Sequence, residues 1–207
     1  MISKRKVFEK QMQDKLLSIG YKHTRWNREL LYYLIRTDEI KETIYFMFSH
    51  GYQGNTEINT VTGVCYDSIE NTKRILLELE NIKQPLSIPT IKENIFIRIP
   101  KGEYGRWTLS DIDNIPTVCD GIISEINEYG HYFYSKYGNI DNLRIGLENT
   151  NNTDFCWDDR KFNLPIIYYL TGQKDKGFRF INDMLSSSKK AYADAYEQRF
   201  INNYFKL

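Results

Sequence analysis

The hydrophobic period of this chain changes partway along it, from about two residues over 21–66 to three or four over 110–205, and that change restricts the fold more than any other feature. Leu30-Leu31-Tyr32-Tyr33-Leu34-Ile35-Arg36, Thr43-Ile44-Tyr45-Phe46-Met47-Phe48-Ser49 and Thr56 to Tyr66 are dense in β-branched and aromatic residues, and Tyr21 to Trp26 alternate crudely. Polar breaks at Asn27-Arg28-Glu29, Asp38 to Lys41 and Gly51 to Asn55 separate them. A four-strand meander follows, and its connections are too short to cross over, so neighbours must run antiparallel. In the fourth strand Glu57, Asn59 and Gly63 alternate with Ile58, Thr60, Thr62 and Val64, whereas the second and third carry apolar residues on both faces. The pattern predicts a sheet whose centre is covered on both sides. Asn94 to Ile99 alternates as a fifth strand, and Pro100 marks it as an edge.

Helical periodicity flanks this sheet. Val7, Met12, Leu16, Leu17 and Ile19 predict an apolar stripe on a first helix ending at Gly20. Asp67 or Ser68 starts a second that runs through Ile69, Ile75, Leu76, Leu79 and Ile82 and stops before Pro85. Beyond Ser110, Ile115, Val118, Cys119, Ile122, Ile123 and Ile126 define a longer helix with Pro116 early in it. A short helix over Ile140, Leu143 and Leu147, a loop at Asn149–Thr153, and helices over Leu164–Leu170, Phe178–Leu185 and Ala191–Phe205 complete the reading. The expected class is therefore α+β, one domain over 1–207, sheet-rich over 1–108 with about five antiparallel strands and helical over 109–207.

A chain of 207 residues can bury one sizeable core without a disulfide or metal. Its 28 Lys and Arg nearly cancel its 27 Asp and Glu, and a net charge of +1 supplies no field to gather nucleic acid or anionic lipid. Neither is expected as a partner. Cys65, Cys119 and Cys156 lack the paired spacing of a zinc or redox site and read as reduced, buried thiols. No signal-peptide h-region follows Met1 to Lys6, and no window holds the roughly 20 apolar residues of a spanning helix, so the expected compartment is the cytoplasm.

No stretch carries a catalytic, metal or cofactor signature, and none of these is expected. His23, His50 and His131 have no second ligand at a coordinating spacing. Gly102-Glu103-Tyr104-Gly105 is followed by Trp107 and Thr108 where a phosphate loop would need Lys and Ser or Thr, and so reads as a turn. Ser186-Ser187-Ser188-Lys189-Lys190 reads as a linker between helices. Trp157-Asp158-Asp159-Arg160 is the densest polar group; its aspartates suit the start of a helix, and could in principle bind a cation. With 16 Tyr, 11 Phe and 3 Trp, the chain has aromatic side chains to spare for a recognition surface after filling a core.

Leu17-Ser18-Ile19-Gly20-Tyr21-Lys22 at a helix end, Ile44 to Ser49, Glu57 to Val64, Trp107-Thr108, Tyr134-Ser135-Lys136-Tyr137 and Tyr168 to Leu185 together resemble the layout of the bacterial DUF4304-type family of domains of unknown function. The resemblance spans most of the chain and departs from the pattern in the length of Gln84–Pro100. Such families have no established activity and some similar proteins lie near toxin genes in the manner of immunity proteins, so the resemblance implies an immunity-like role and carries over no functional residues. The expected function is therefore binding of another protein, with Trp107, Tyr134, Trp157, Asp158 and Asp159 as candidate contact residues. The rivals are a hydrolase-type enzyme built on His50, Asp158 and Asp159, and a structural subunit of a homo-oligomer.

Overall fold

The computed structural model describes residues 3–26, 29–51, 55–76, 88–100, 107–187 and 199–202. The chain divides into two compact units. The first comprises Met1–Tyr66 with Ser87–Gly138, the second Asp67–Leu86 with Asn139–Leu207.

The first unit is built on an antiparallel sheet of β1 (Lys22–Trp26), β2 (Glu29–Ile35), β3 (Ile40–His50), β4 (Thr56–Tyr66), β5 (Ile91–Asn94) and β6 (Trp107–Leu109). The first five lie in chain order, and β6 joins β4. The register places Tyr32 opposite Ile44 and Ile44 opposite Thr62, with Leu31, Tyr45 and Val61 forming the adjacent row on the other face. Both rows are buried. The sheet centre is thus covered on both sides, as the sequence pattern requires.

The larger core lies under α1 (Lys4–Ser18) and α3 (Ile115–Glu125), where Phe8, Met12 and Leu16 meet Tyr32, Ile44, Phe46, Ile58, Val118 and Ile122. Phe8, Met12 and Leu16 are four apart and so lie one above another on the helix. Leu17 and Ile19, expected in this stripe, are instead 41% and 43% exposed, because they fall off that line. Gly20 takes φ +95°, and its N–H reaches Leu17 O while that of Tyr21 reaches Leu16 O, closing the helix as a Schellman motif.

The fifth strand is displaced from its expected position. β5 ends at Asn94, where alternation would have had it begin, and Ile95–Ile97 form a 3₁₀ turn closed by Arg98 N–H to Ile95 O at 2.9 Å. The cause is competition for one edge. β5 pairs with Val61–Val64 and β6 with Thr56–Ile58, so the chain must leave β4 before it reaches Ile58.

Past α3, a π turn over Ile126–Gly130 leads into α4 (Tyr132–Tyr137), which rests on β4; Tyr66 Oη donates to Tyr137 O. The second unit holds α2 (Asp67–Leu76), α5 (Ile140–Glu148), α6 (Trp157–Leu170) and α7 (Lys174–Ser187). α6 begins earlier than its apolar run suggests and continues through Pro165, ending at Gly172 in a second Schellman motif with φ +74°. Ser186 and Ser187 lie in α7 rather than in a linker. The expected turn at 102–105, the helix beyond Leu76 and most of the last helix fall outside the described residues. Cys65 and Cys119 are buried, but Cys156 is exposed, because it occupies the N-cap of α6.

Candidate functional site

In the second unit the Asn-rich loop between α5 and α6 is held from both ends. Asn149 Oδ1 accepts Asn151 N–H and Asn152 Oδ1 accepts Asp154 N–H, each at 3.1 Å, which are the turns that such residues favour. Arg160, on the first turn of α6 and 7% exposed, donates Nε to Leu147 O at 3.2 Å, Nη1 to Phe155 O at 2.7 Å and Cys156 O at 3.3 Å, and Nη2 to Asn149 O at 3.1 Å and Asn152 O at 2.7 Å. Two of these carbonyls belong to the end of α5, where unpaired backbone oxygens favour a cation. One planar guanidinium thereby fixes the whole loop. Asp159 adds a capping box: its Oδ2 accepts Cys156 N–H at 2.9 Å, and its own N–H points to Cys156 Sγ.

This frame determines the roles of the acidic pair. Asp159 is a cap, as its place in the sequence suggests, while Asp158 is exposed. Between the N-cap Cys156 and Asp158 stands Trp157, 59% exposed. A large indole held out from a rigid backbone is a ready contact residue.

In the first unit Tyr134 belongs to a second cluster. Glu42 points from β3 toward α4 and is 1% exposed. Its Oε2 accepts Arg36 Nε at 2.8 Å and also Arg36 Nη2, and its Oε1 meets His131 Nδ1 at 2.5 Å. Among the described residues no Ser, Thr or Cys is hydrogen-bonded to His131 Nε2. The Arg36 guanidinium lies 4.9 Å from the Tyr134 ring centroid. Across β4 the pattern repeats: Glu93, 9% exposed, accepts Arg98 Nε and, at 2.8 Å, Arg98 Nη2, and Arg98 stacks 3.8 Å from the Tyr132 centroid.

Trp107 is an internal anchor. Its ring crosses α3 at Gly121, where a Cβ would come within 2.1 Å of it, and its Nε1 donates to Glu125 Oε2 at 2.9 Å. Burial raises the Glu125 pKa above its ordinary value, and the Trp107 bond offsets this only in part. His50 is exposed at the end of β3 in the first unit, whereas Asp158 and Asp159 belong to the second. Among the described residues no three His, Cys, Asp or Glu are placed to hold a metal ion, and no helix is long and apolar enough to cross a membrane.

The sequence reading missed Arg36, Glu42, Glu93 and Arg98, and named Arg160 only as a member of the Trp157–Arg160 group, without its role. One signal was present: Glu42 falls at an inward-facing position among Ile40, Ile44, Phe46 and Phe48, where a carboxylate needs a partner. No family model, curated protein or solved structure matches the chain.

Proposed function

We propose that the chain is a non-enzymatic protein-binding domain that uses Trp157 as its anchor. The observation that supports this is the exposure of Trp157 on a loop and helix start pinned by Arg160. Leaving the greater part of an indole in water forgoes roughly 3 kcal/mol of hydrophobic stabilisation. A partner that buries it recovers that term, and a preorganised backbone loses little entropy on binding. Asp158 beside it supplies a polar rim. Occlusion is the simplest way such a domain would neutralise a toxin, with the indole entering a pocket at or beside the toxin's active site and an interface of about 1,200 to 2,000 Å² covering it.

The test is a pull-down of the tagged chain from lysate of its source organism, at low and moderate salt, alongside Trp157→Ala. We expect one stoichiometric partner that survives moderate salt and is lost from the variant, a cost of about 2 kcal/mol or more in affinity. A partner retained equally by the variant would remove Trp157 from the interface. Recovery of the wild-type chain alone would remove the binding reading itself.

A further inference from the structure

The sheet of the first unit ends at β1, which pairs with β2 on one side and with no described strand on the other. Trp26 is opposite Glu29 across a connection of two residues, and a connection that short makes its flanking residues a hydrogen-bonded pair. Bonded and non-bonded pairs alternate along an antiparallel ribbon, so Thr24 and Lys22 bond inward to Leu31 and Tyr33. His23 and Arg25 therefore turn their backbone N–H and C=O outward, where they have no partner among the described residues. The side chains of this edge are open as well. Lys22, His23 and Arg25 are exposed, and Thr24 is half-buried. Among the described residues Lys22 and Arg25 form no ion pair. Glu29, the one carboxylate of β2, is held by Arg5 Nη2 at 2.5 Å, and Asp14, exposed on α1 beside the Gln13 that meets His23, pairs with neither cation.

We propose that the outer edge of β1 takes up an acidic extended segment of a protein partner as a further antiparallel strand. The surface is independent of Trp157, which belongs to the second unit. Main-chain bonds to His23 and Arg25 supply affinity, and the side chains fix the register. Lys22 and Arg25 are three apart and so point to opposite faces. The segment that fits carries carboxylates at positions i and i+3, with i opposite Arg25 and i+3 opposite Lys22, and a β-branched residue at i+1 opposite Thr24. A second copy of the chain fits less well. Laid antiparallel about Thr24, it would set Arg25 opposite His23 and double the unpaired positive charge of the ribbon.

The experiment is fluorescence anisotropy with the full chain and a labelled peptide bearing glutamates at i and i+3 and valine at i+1. Residues i and i+2 of the bound peptide lie opposite Arg25 and His23 and turn their N–H groups toward β1, whereas those of i+1 and i+3 turn away. We expect N-methylation at i and i+2 to weaken binding more than tenfold, and N-methylation at i+1 and i+3 to change it less than about twofold. Arg25→Glu should weaken the unmodified peptide about tenfold while circular dichroism stays unchanged. Equal effects of the two N-methylation patterns would mean charge attraction without a strand and would overturn the proposal, as would the absence of saturable binding up to about 1 mM chain. A dimer by light scattering that Arg25→Glu dissociates would assign the edge to a second copy and overturn it too.

Discussion

At the scale of single residues, Arg160 is the side chain on which most depends. Lysine in its place keeps the charge but offers three donors where five carbonyls are now served, so at least two of these carbonyls lose their side-chain donor. Arg160→Lys should lower stability by about 2 to 4 kcal/mol, read as a shift in the urea midpoint. It should also weaken partner capture without touching Trp157, because the frame and not the indole has been altered. Glu125 gives a prediction of a different kind. Its folded pKa is raised by burial, so between the ordinary glutamate value of about 4.3 and that raised value the folded chain binds more protons than the unfolded one. This contribution is fully present below the lower pKa and is lost as pH rises through the upper one. Stability of the wild type relative to Glu125→Gln should accordingly fall as pH increases across that window, and urea titrations at pH 4, 5, 6 and 7 would show it; a constant difference would refute it. The role of neither residue could be recognised in the sequence. Arg160 binds backbone oxygens, which carry no residue identity, and the Glu125 carboxyl is hydrogen-bonded by a tryptophan from another element.

At the scale of elements, α3 and β6 meet through a groove made by an absence. Gly121 and Glu125 are one turn apart on α3; the Trp107 ring lies in the space a side chain at 121 would fill and is tethered at 125. Replacing a glycine inside a helix by alanine ordinarily stabilises by about 1 kcal/mol. Gly121→Ala should do the opposite and cost about 1 to 3 kcal/mol, since the added carbon overlaps the indole and forces it out. Thermal melts of the variant, with Trp107 emission followed in a Trp26→Phe, Trp157→Phe background, separate these signs. Elements were the part of the fold most legible in the sequence, where alternation and punctuation act locally. The meander, the glycine stops at Gly20 and Gly172 and the Asn-rich loop all follow from residues close to one another. What failed was the position of β5, because its limit is set by β6 occupying the same edge of β4, and no local pattern states that competition.

At the scale of the whole molecule, the path of the chain matters more than its content of helix and strand. The second unit is discontinuous: it takes α2 from between β4 and β5 and the rest from beyond Gly138. α2 buries Ile69 and Leu76 completely and packs on α6, and Arg199 Nη1 donates to Leu76 O at 3.0 Å. A segment cut at Asn139 therefore contains α5, α6 and α7 and lacks α2, one wall of its core. With about 70 residues such a fragment has little apolar area to spare, and the loss of two fully buried side chains removes about 3 to 6 kcal/mol from a total of comparable size. Residues 139–207 expressed alone should show helical signal by circular dichroism but no cooperative urea transition. A sharp two-state transition in that fragment would mean that α2 is dispensable and that the second unit closes its core without it. The platform bearing Trp157 lies within this unit, so the same fragment should also fail to capture the partner that the intact chain binds.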